Sequence, residues 1–184
     1  PPIPGLDTVD YLTNETVFSL TSLPRRFGII GAGPIGCEMS QAFTRLGSHV
    51  SLFEMTEHVL PREDPDAAAI VQGSMRADGV DLQLNVKVTA VERRGDDTVV
   101  HFERGGKPHE LAFDELLIAV GRAPNVDNLG LEEAGVTYER SGVLVDDRLR
   151  TTNAKVYACG DVASTYKFTH MADAQARIVI QNAL

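Results

Sequence analysis

The stretch FGIIGAGPIG, residues 27–36, decides the fold. A short apolar run leads straight into glycines at 31, 33 and 36. Such a run, without polar alternation, predicts a parallel strand buried on both faces. Gly31 allows a tight turn out of that strand. Gly33 carries no side chain, so backbone can come close to a pyrophosphate, and Gly36 lets helix and strand pack closely. Beyond the glycines, Ile35, Met39, Ala42, Phe43 and Leu46 recur at helical spacing, and Gly47 ends the predicted helix. The N-terminus of that helix would face the phosphates with unpaired N–H groups and a positive dipole end.

The next strand, HVSLFE at residues 49–54, ends in Glu54, 23 positions after Gly31 (54 − 31). An acidic residue about 20 positions on is what a dinucleotide fingerprint uses to bind the adenosine ribose. A carboxylate accepts hydrogen bonds from both ribose hydroxyls and would repel a 2′-phosphate. Met55, Thr56, Glu57 and His58 supply no arginine to neutralise one, so NAD(H) is favoured over NADP(H). Asp64-Pro65 is a helix start, a side-chain cap followed by proline in the first turn. Ala67, Ile70, Val71, Ser74 and Met75 predict its apolar face, and Gly79 its end.

The middle of the chain changes character. VDLQL (80–84), VKVTAVERR (86–94), TVVHFER (98–104) and HELAF (109–113) read as short strands, the last three joined by Gly95-Asp96-Asp97 and Gly105-Gly106. DELLIAVG (114–121) returns to a buried-strand pattern. The order strand, helix, strand, helix, strand, meander, strand predicts an α/β, Rossmann-like doubly wound sheet whose last crossover is an antiparallel β-meander. After Arg122 the elements become short. VLVDD (143–147) and KVYACGD (155–161) look strand-like, which places Cys159 in a strand, and MADAQARIVIQNAL looks helical.

Bulk properties exclude several classes. With 184 residues and a formal net charge of −9, the chain is a poor match for a phosphate backbone, so no nucleic acid partner is expected. No apolar run approaches the roughly 20 residues of a membrane helix, and no signal peptide is visible. The two cysteines, Cys37 and Cys159, form no disulfide framework. A reducing, cytoplasmic setting is expected, with both as core fillers. The five histidines show no metal-ligand spacing. A chain that lacks a starting methionine and ends inside a helical pattern is expected to be a piece of a longer polypeptide.

GAGPIGCE (31–38), Glu54, AVGRAPN (119–125), VYACGDV (156–162) and FTHMADAQA (168–176) occur in that order. Together they resemble the pyridine nucleotide-disulfide oxidoreductase family of two-dinucleotide flavoproteins, which includes dihydrolipoamide dehydrogenase, glutathione reductase and mercuric reductase. The mercuric and dihydrolipoamide members look most similar. The resemblance implies that Gly31, Gly33, Pro34, Ile35 and Glu38 surround the NAD pyrophosphate and nicotinamide ribose, with Glu38 near the nicotinamide end. It implies an adenine-side contact at Val88 and a backbone contact at Gly121, followed by Arg122. It implies that Asp161 binds the ribityl hydroxyls of FAD and that the segment ending in Phe168, Thr169 and His170 lies along the flavin.

Departures matter as much. The family's first FAD fingerprint, its CxxxxC redox pair and its interface domain with the catalytic His and Glu are not found here. No catalytic residue is expected in this chain, and Asp161 is expected to be solvated. The implied organisation is an FAD-domain or linker remnant over 1–10, an NAD-binding domain over 11–122 and a partial FAD-binding segment over 123–184. The implied partners are the rest of the parent chain, its FAD and interface domains, in a homodimer. The implied activity is transfer of hydride from NADH to FAD in a disulfide or mercuric-ion reductase. A stand-alone NAD-sensing module is the alternative. A short-chain dehydrogenase is excluded, because Tyr11, Tyr138, Tyr157 and Tyr166 are followed four positions on by Glu15, Gly142, Asp161 and His170, never by lysine.

Overall fold

A computed structural model describes residues 2–184. The chain forms two compact units, one ending at Gly121 and the other spanning Arg122–Leu184. The first unit is built on a parallel sheet of β1 (Arg26–Ile30), β2 (His49–Phe53), β3 (Asp81–Gln83) and β7 (Glu115–Ile118), in the order β3-β2-β1-β7. Helices α1 (Pro34–Leu46) and α2 (Pro65–Asp78) connect β1 to β2 and β2 to β3. The antiparallel sheet β4 (Val86–Arg94), β5 (Asp97–Arg104), β6 (Lys107–Phe113) makes the last crossover. This is the doubly wound α/β fold with a meander crossover that the sequence predicts.

Alternation along the central strands explains why both faces are covered. Phe27 and Ile29 of β1, Val50 and Leu52 of β2, and Leu117 of β7 join Cys37, Val59 and Met75 in one core. Ile30, Phe53 and Leu116 point to the other face, into a core with Val86, Val91, Val100, Phe102 and Phe113 of the meander. The Phe53 ring meets Phe102 edge-on at 5.1 Å and Phe113 at 5.9 Å. Leu6 and Val9 are buried in the same core, and the Val91 N–H donates to the Pro4 carbonyl, so the segment before Tyr11 packs on this unit.

Turn chemistry follows the sequence closely. Gly95, Gly105 and Gly106 all have positive φ, the last two forming the two-residue hairpin turn between β5 and β6. Asp64 caps α2 by accepting the Asp66 N–H at 2.9 Å, and Gly47 and Gly79 close the two helices in left-handed conformation. One arginine ties the layers together. The Arg26 backbone N–H and Nε donate to Asp114 at 2.8 and 3.0 Å, and its Nη2 donates to Asp97 at 2.7 Å.

The helix faces agree with those predicted only in part: Met39, Phe43 and Val71 pack against the core and Met75 is buried in it. In α1 the buried positions are Gly36, Cys37 and Ser40, while Ala42 and Leu46 face solvent. In α2 they are Ala68 and Met75, and Ile70 is 77% exposed. The AAAIV run is apolar on every side, so periodicity alone could not choose the face.

The second unit is sparser. β8 (Tyr138–Glu139) and β9 (Gly142–Val143) form a two-stranded ribbon. VLVDD is not a full strand. The Asp146 carboxylate accepts the N–H groups of Arg148 and Arg150, folding the backbone into a turn after Val145. KVYACGD is not a strand either. It makes one bridge, Tyr157 to Arg150, and then enters a 3₁₀ turn at Gly160–Val162. Cys159 therefore sits half-buried outside any strand. α3 (Thr169–Ala183) is a helix as predicted, with none of its residues buried.

Candidate functional site

The site forms at the carboxyl end of β1. There the strand order reverses, with β2 on one side of β1 and β7 on the other. Such a switch point opens a crevice between the loops that leave neighbouring strands. Gly31 leaves β1 with φ +102 and lies against the backbone just past β7, since a Cβ here would stand 2.7 Å from the Ala119 carbonyl oxygen. A Cβ on Gly36 would run into the carbonyl oxygen of Gly31. Gly33 differs from both, because a Cβ on it would meet no atom within 4 Å. Two of the glycines are demanded by packing, and the third leaves open space above the backbone. Gly33 caps α1, and Pro34 occupies its first turn. The early N–H groups of the helix have no intrahelical partner.

Glu54 stands at the end of β2 and is hydrogen-bonded to this loop. Its Oε2 accepts the Ala32 N–H at 2.9 Å, and its Oε1 accepts the N–H groups of Met55 at 2.8 Å and Thr56 at 3.1 Å. Ala32 is fully buried, and its carbonyl accepts the Leu60 N–H at 2.7 Å. The backbone of the loop is therefore held on both sides.

The structure thus brings together Gly31, Gly33, Pro34, Ile35, Gly36, Glu38 and Glu54. Pro34 and Glu38 are exposed and Ile35 is half-buried. Gly121, with φ +114, comes shortly after β7, and Ala119, just past the end of that strand, lies against Gly31. Val88 lies in β4, half-buried against the meander-side core, immediately before an irregularity in the β4–β5 register. Cys37 is buried one turn into α1, where loss of solvent pushes its thiol up to about 12. It is a protonated core residue at neutral pH, with no thiolate character.

In the second unit, Asp161 is not a free solvated carboxylate. Its Oδ2 lies 2.8 Å from Arg122 Nη2. The Lys167 ammonium donates to the carbonyls of Ser164 and Asp161, at 2.8 and 3.2 Å. Phe168, which caps α3, stacks on His170 with centroids 5.3 Å apart and rings 7° from parallel. Thr169 begins the helix, and both rings are exposed.

The residues that sequence reasoning missed are Ala32, Met55 and Thr56, whose backbone groups hold Glu54. No residue-type signal marks them, because backbone groups do this. Among the described residues, no cluster of three His, Cys, Asp or Glu side chains is placed to hold a metal ion, and no helix is long and apolar enough to cross a membrane.

Residues 1–176 match the family described as pyridine nucleotide-disulphide oxidoreductase. A mercuric reductase of Bacillus cereus is 37% identical over 185 residues, covering 100% of this chain and 29% of that protein. A dihydrolipoyl dehydrogenase of Thermus scotoductus is 35% identical over 164 residues, covering 88% of this chain and 36% of its own length. The solved HOCl-induced flavoprotein disulfide reductase RclA of Escherichia coli is 38% identical with a TM-score of 0.90, covering 100% of this chain and 42% of that one. The chain spans well under half the length of each of these relatives. A match over nearly its whole length, on a fold that carries the glycine loop at the switch point, shows that the chain belongs to the pyridine nucleotide-disulphide oxidoreductase family.

Proposed function

We propose that this chain is the NAD(H)-binding portion of a flavoprotein disulfide or mercuric-ion reductase. The observation that carries the proposal is the glycine loop at the β1 switch point, with open space at Gly33 and Glu54 bonded beside it. These residues fit a dinucleotide. Bare backbone and a helix N-terminus suit a pyrophosphate, and a carboxylate at the end of β2 suits ribose hydroxyls.

NADH would supply a hydride and FAD would accept it, passing electrons on to a disulfide or a metal ion. The chain's own residues have narrower tasks. Gly31, Gly33 and Gly36, with Pro34 and Ile35, hold the pyrophosphate. Glu54 binds the ribose and rejects a 2′-phosphate, Glu38 faces the nicotinamide end, and Val88 and Gly121 complete the nucleotide contacts. Asp161, oriented by Arg122, and the segment through Phe168, Thr169 and His170 are this chain's share of the FAD site. The rest of that site would come from a longer parent, a cytoplasmic homodimer.

Calorimetric titration tests the reading. NADH should bind at least about tenfold more tightly than NADPH, a difference of about 1.4 kcal/mol. The purified chain should carry little flavin. Failure to bind NADH, or tighter binding of NADPH, overturns the proposal.

A further inference from the structure

We infer that Glu54 is a positioning residue for the glycine loop, with only one acceptor position left for the ribose. The inference deepens the dinucleotide reading and rests on it for the identity of the ligand. An ionised carboxylate offers about four lone-pair positions, two on each oxygen. Three of them are taken. Oε1 receives both Met55 and Thr56, and Oε2 receives Ala32. One position on Oε2 remains, so Glu54 accepts one ribose hydroxyl, not two, while the loop keeps this shape.

The bond to Ala32 has consequences beyond the ribose. Ala32 lies between the first two fingerprint glycines and is fully buried. Its N–H has no water to turn to if Glu54 is removed, and a buried donor without an acceptor is costly. Its carbonyl is fixed by Leu60. Glu54 and Leu60 therefore clamp the residue that sets the direction of the Gly31–Gly33 backbone. The side chain that reads the cofactor also shapes the surface its phosphates rest on. Replacing Glu54 to admit NADPH would then weaken every dinucleotide, because loop and selectivity depend on one carboxylate.

Glu54→Gln separates the two roles. Its amide can present an oxygen to Ala32 or to Met55 and Thr56, but not to both. Amide hydrogen exchange in the ligand-free protein should accelerate about tenfold or more at Ala32 or at Met55 and Thr56, the loss of a charge-assisted hydrogen bond. The β1 amides should keep their protection. Titration with NADH and with its analogue lacking both adenosine-ribose hydroxyls gives the second readout. A positioning role predicts that Glu54→Gln weakens both ligands, the analogue by about tenfold. A purely ribose-reading role predicts that the variant's effect vanishes with the analogue. Unchanged exchange at all three amides overturns the inference whatever the titration gives. Faster exchange in a protein that binds no NADH supports the clamp and sinks the dinucleotide reading. If the β1 amides also lose protection in Glu54→Gln, Glu54→Asp replaces it, keeping the charge but retracting the carboxylate from Ala32, and the same amides and ligands decide.

Discussion

Gly33 and Gly36 stand three positions apart and answer different demands. Gly36 is where the helix passes the loop, and an added methyl would strike the Gly31 carbonyl. Both partners are backbone, so the chain itself has to shift. Gly36→Ala should cost roughly 1–3 kcal/mol of stability, read from denaturant unfolding. Gly33 has φ −72 and ψ −176, which any residue adopts, and open space in front of it. Gly33→Ala should change stability by no more than about 0.5 kcal/mol yet weaken NADH binding by about tenfold or more. An equal loss of stability in the two variants would show that Gly33 is a packing residue. The spacing of these glycines was legible in the sequence, because it follows from backbone geometry. The three hydrogen bonds to Glu54 were not. They depend on where N–H groups of residues far apart in sequence end up, and residue type carries no trace of that.

At the scale of elements, the Arg26 cluster joins the first strand of the parallel sheet to the start of β5, through Asp97, and to the end of the meander, through Asp114. The guanidinium beside Asp97 holds that carboxyl below its ordinary value of 3.8. At Asp114, partial burial pushes the carboxyl up, but the Arg26 backbone N–H and guanidinium outweigh it, so the net direction is also downward. A depressed carboxyl contributes stability that is complete above its unfolded value and lost as pH falls through its folded value. The melting temperature of the chain should therefore fall as pH drops below about 4. In Asp114→Asn that acid sensitivity should shrink, and stability at pH 7 should fall by roughly 1–2 kcal/mol. A melting temperature flat down to pH 2 would contradict this. The elements themselves were mostly legible. Gly95 and Gly105-Gly106 announced the hairpins because their positive φ values suit few other residues. The strands expected at VLVDD and KVYACGD failed where one side chain redirected the backbone. Asp146 folds a turn, and the Gly160 N–H is taken by Gln175 at 2.8 Å.

For the molecule as a whole, the two units differ in how much core they own. The first has a continuous core on each face of its sheet. The second ends in a fifteen-residue helix with no buried residue, and Ile180 is 60% exposed. Helical hydrogen bonds without apolar cover open easily. Amides of α3 should exchange on the order of a hundredfold faster than those of α1, measured by mass spectrometry on peptides. Equal protection would mean that α3 is covered in solution. Motif order identified the family from sequence, but the sparseness of this second unit was visible only as a shortage of apolar residues.

The meander crossover also bears on how the chain reaches its fold. Pairing Phe27 with Glu115 joins residues 88 positions apart (115 − 27), whereas the β5–β6 hairpin closes through two residues. Closure entropy rises with loop length, and local pairings form faster than distant ones. The hairpins of the meander can zip while β7 is still free. Each one that forms shortens the open chain between β1 and β7, so the crossover lowers the entropic barrier to completing the sheet. A connection without internal pairing would leave β7 a far longer search.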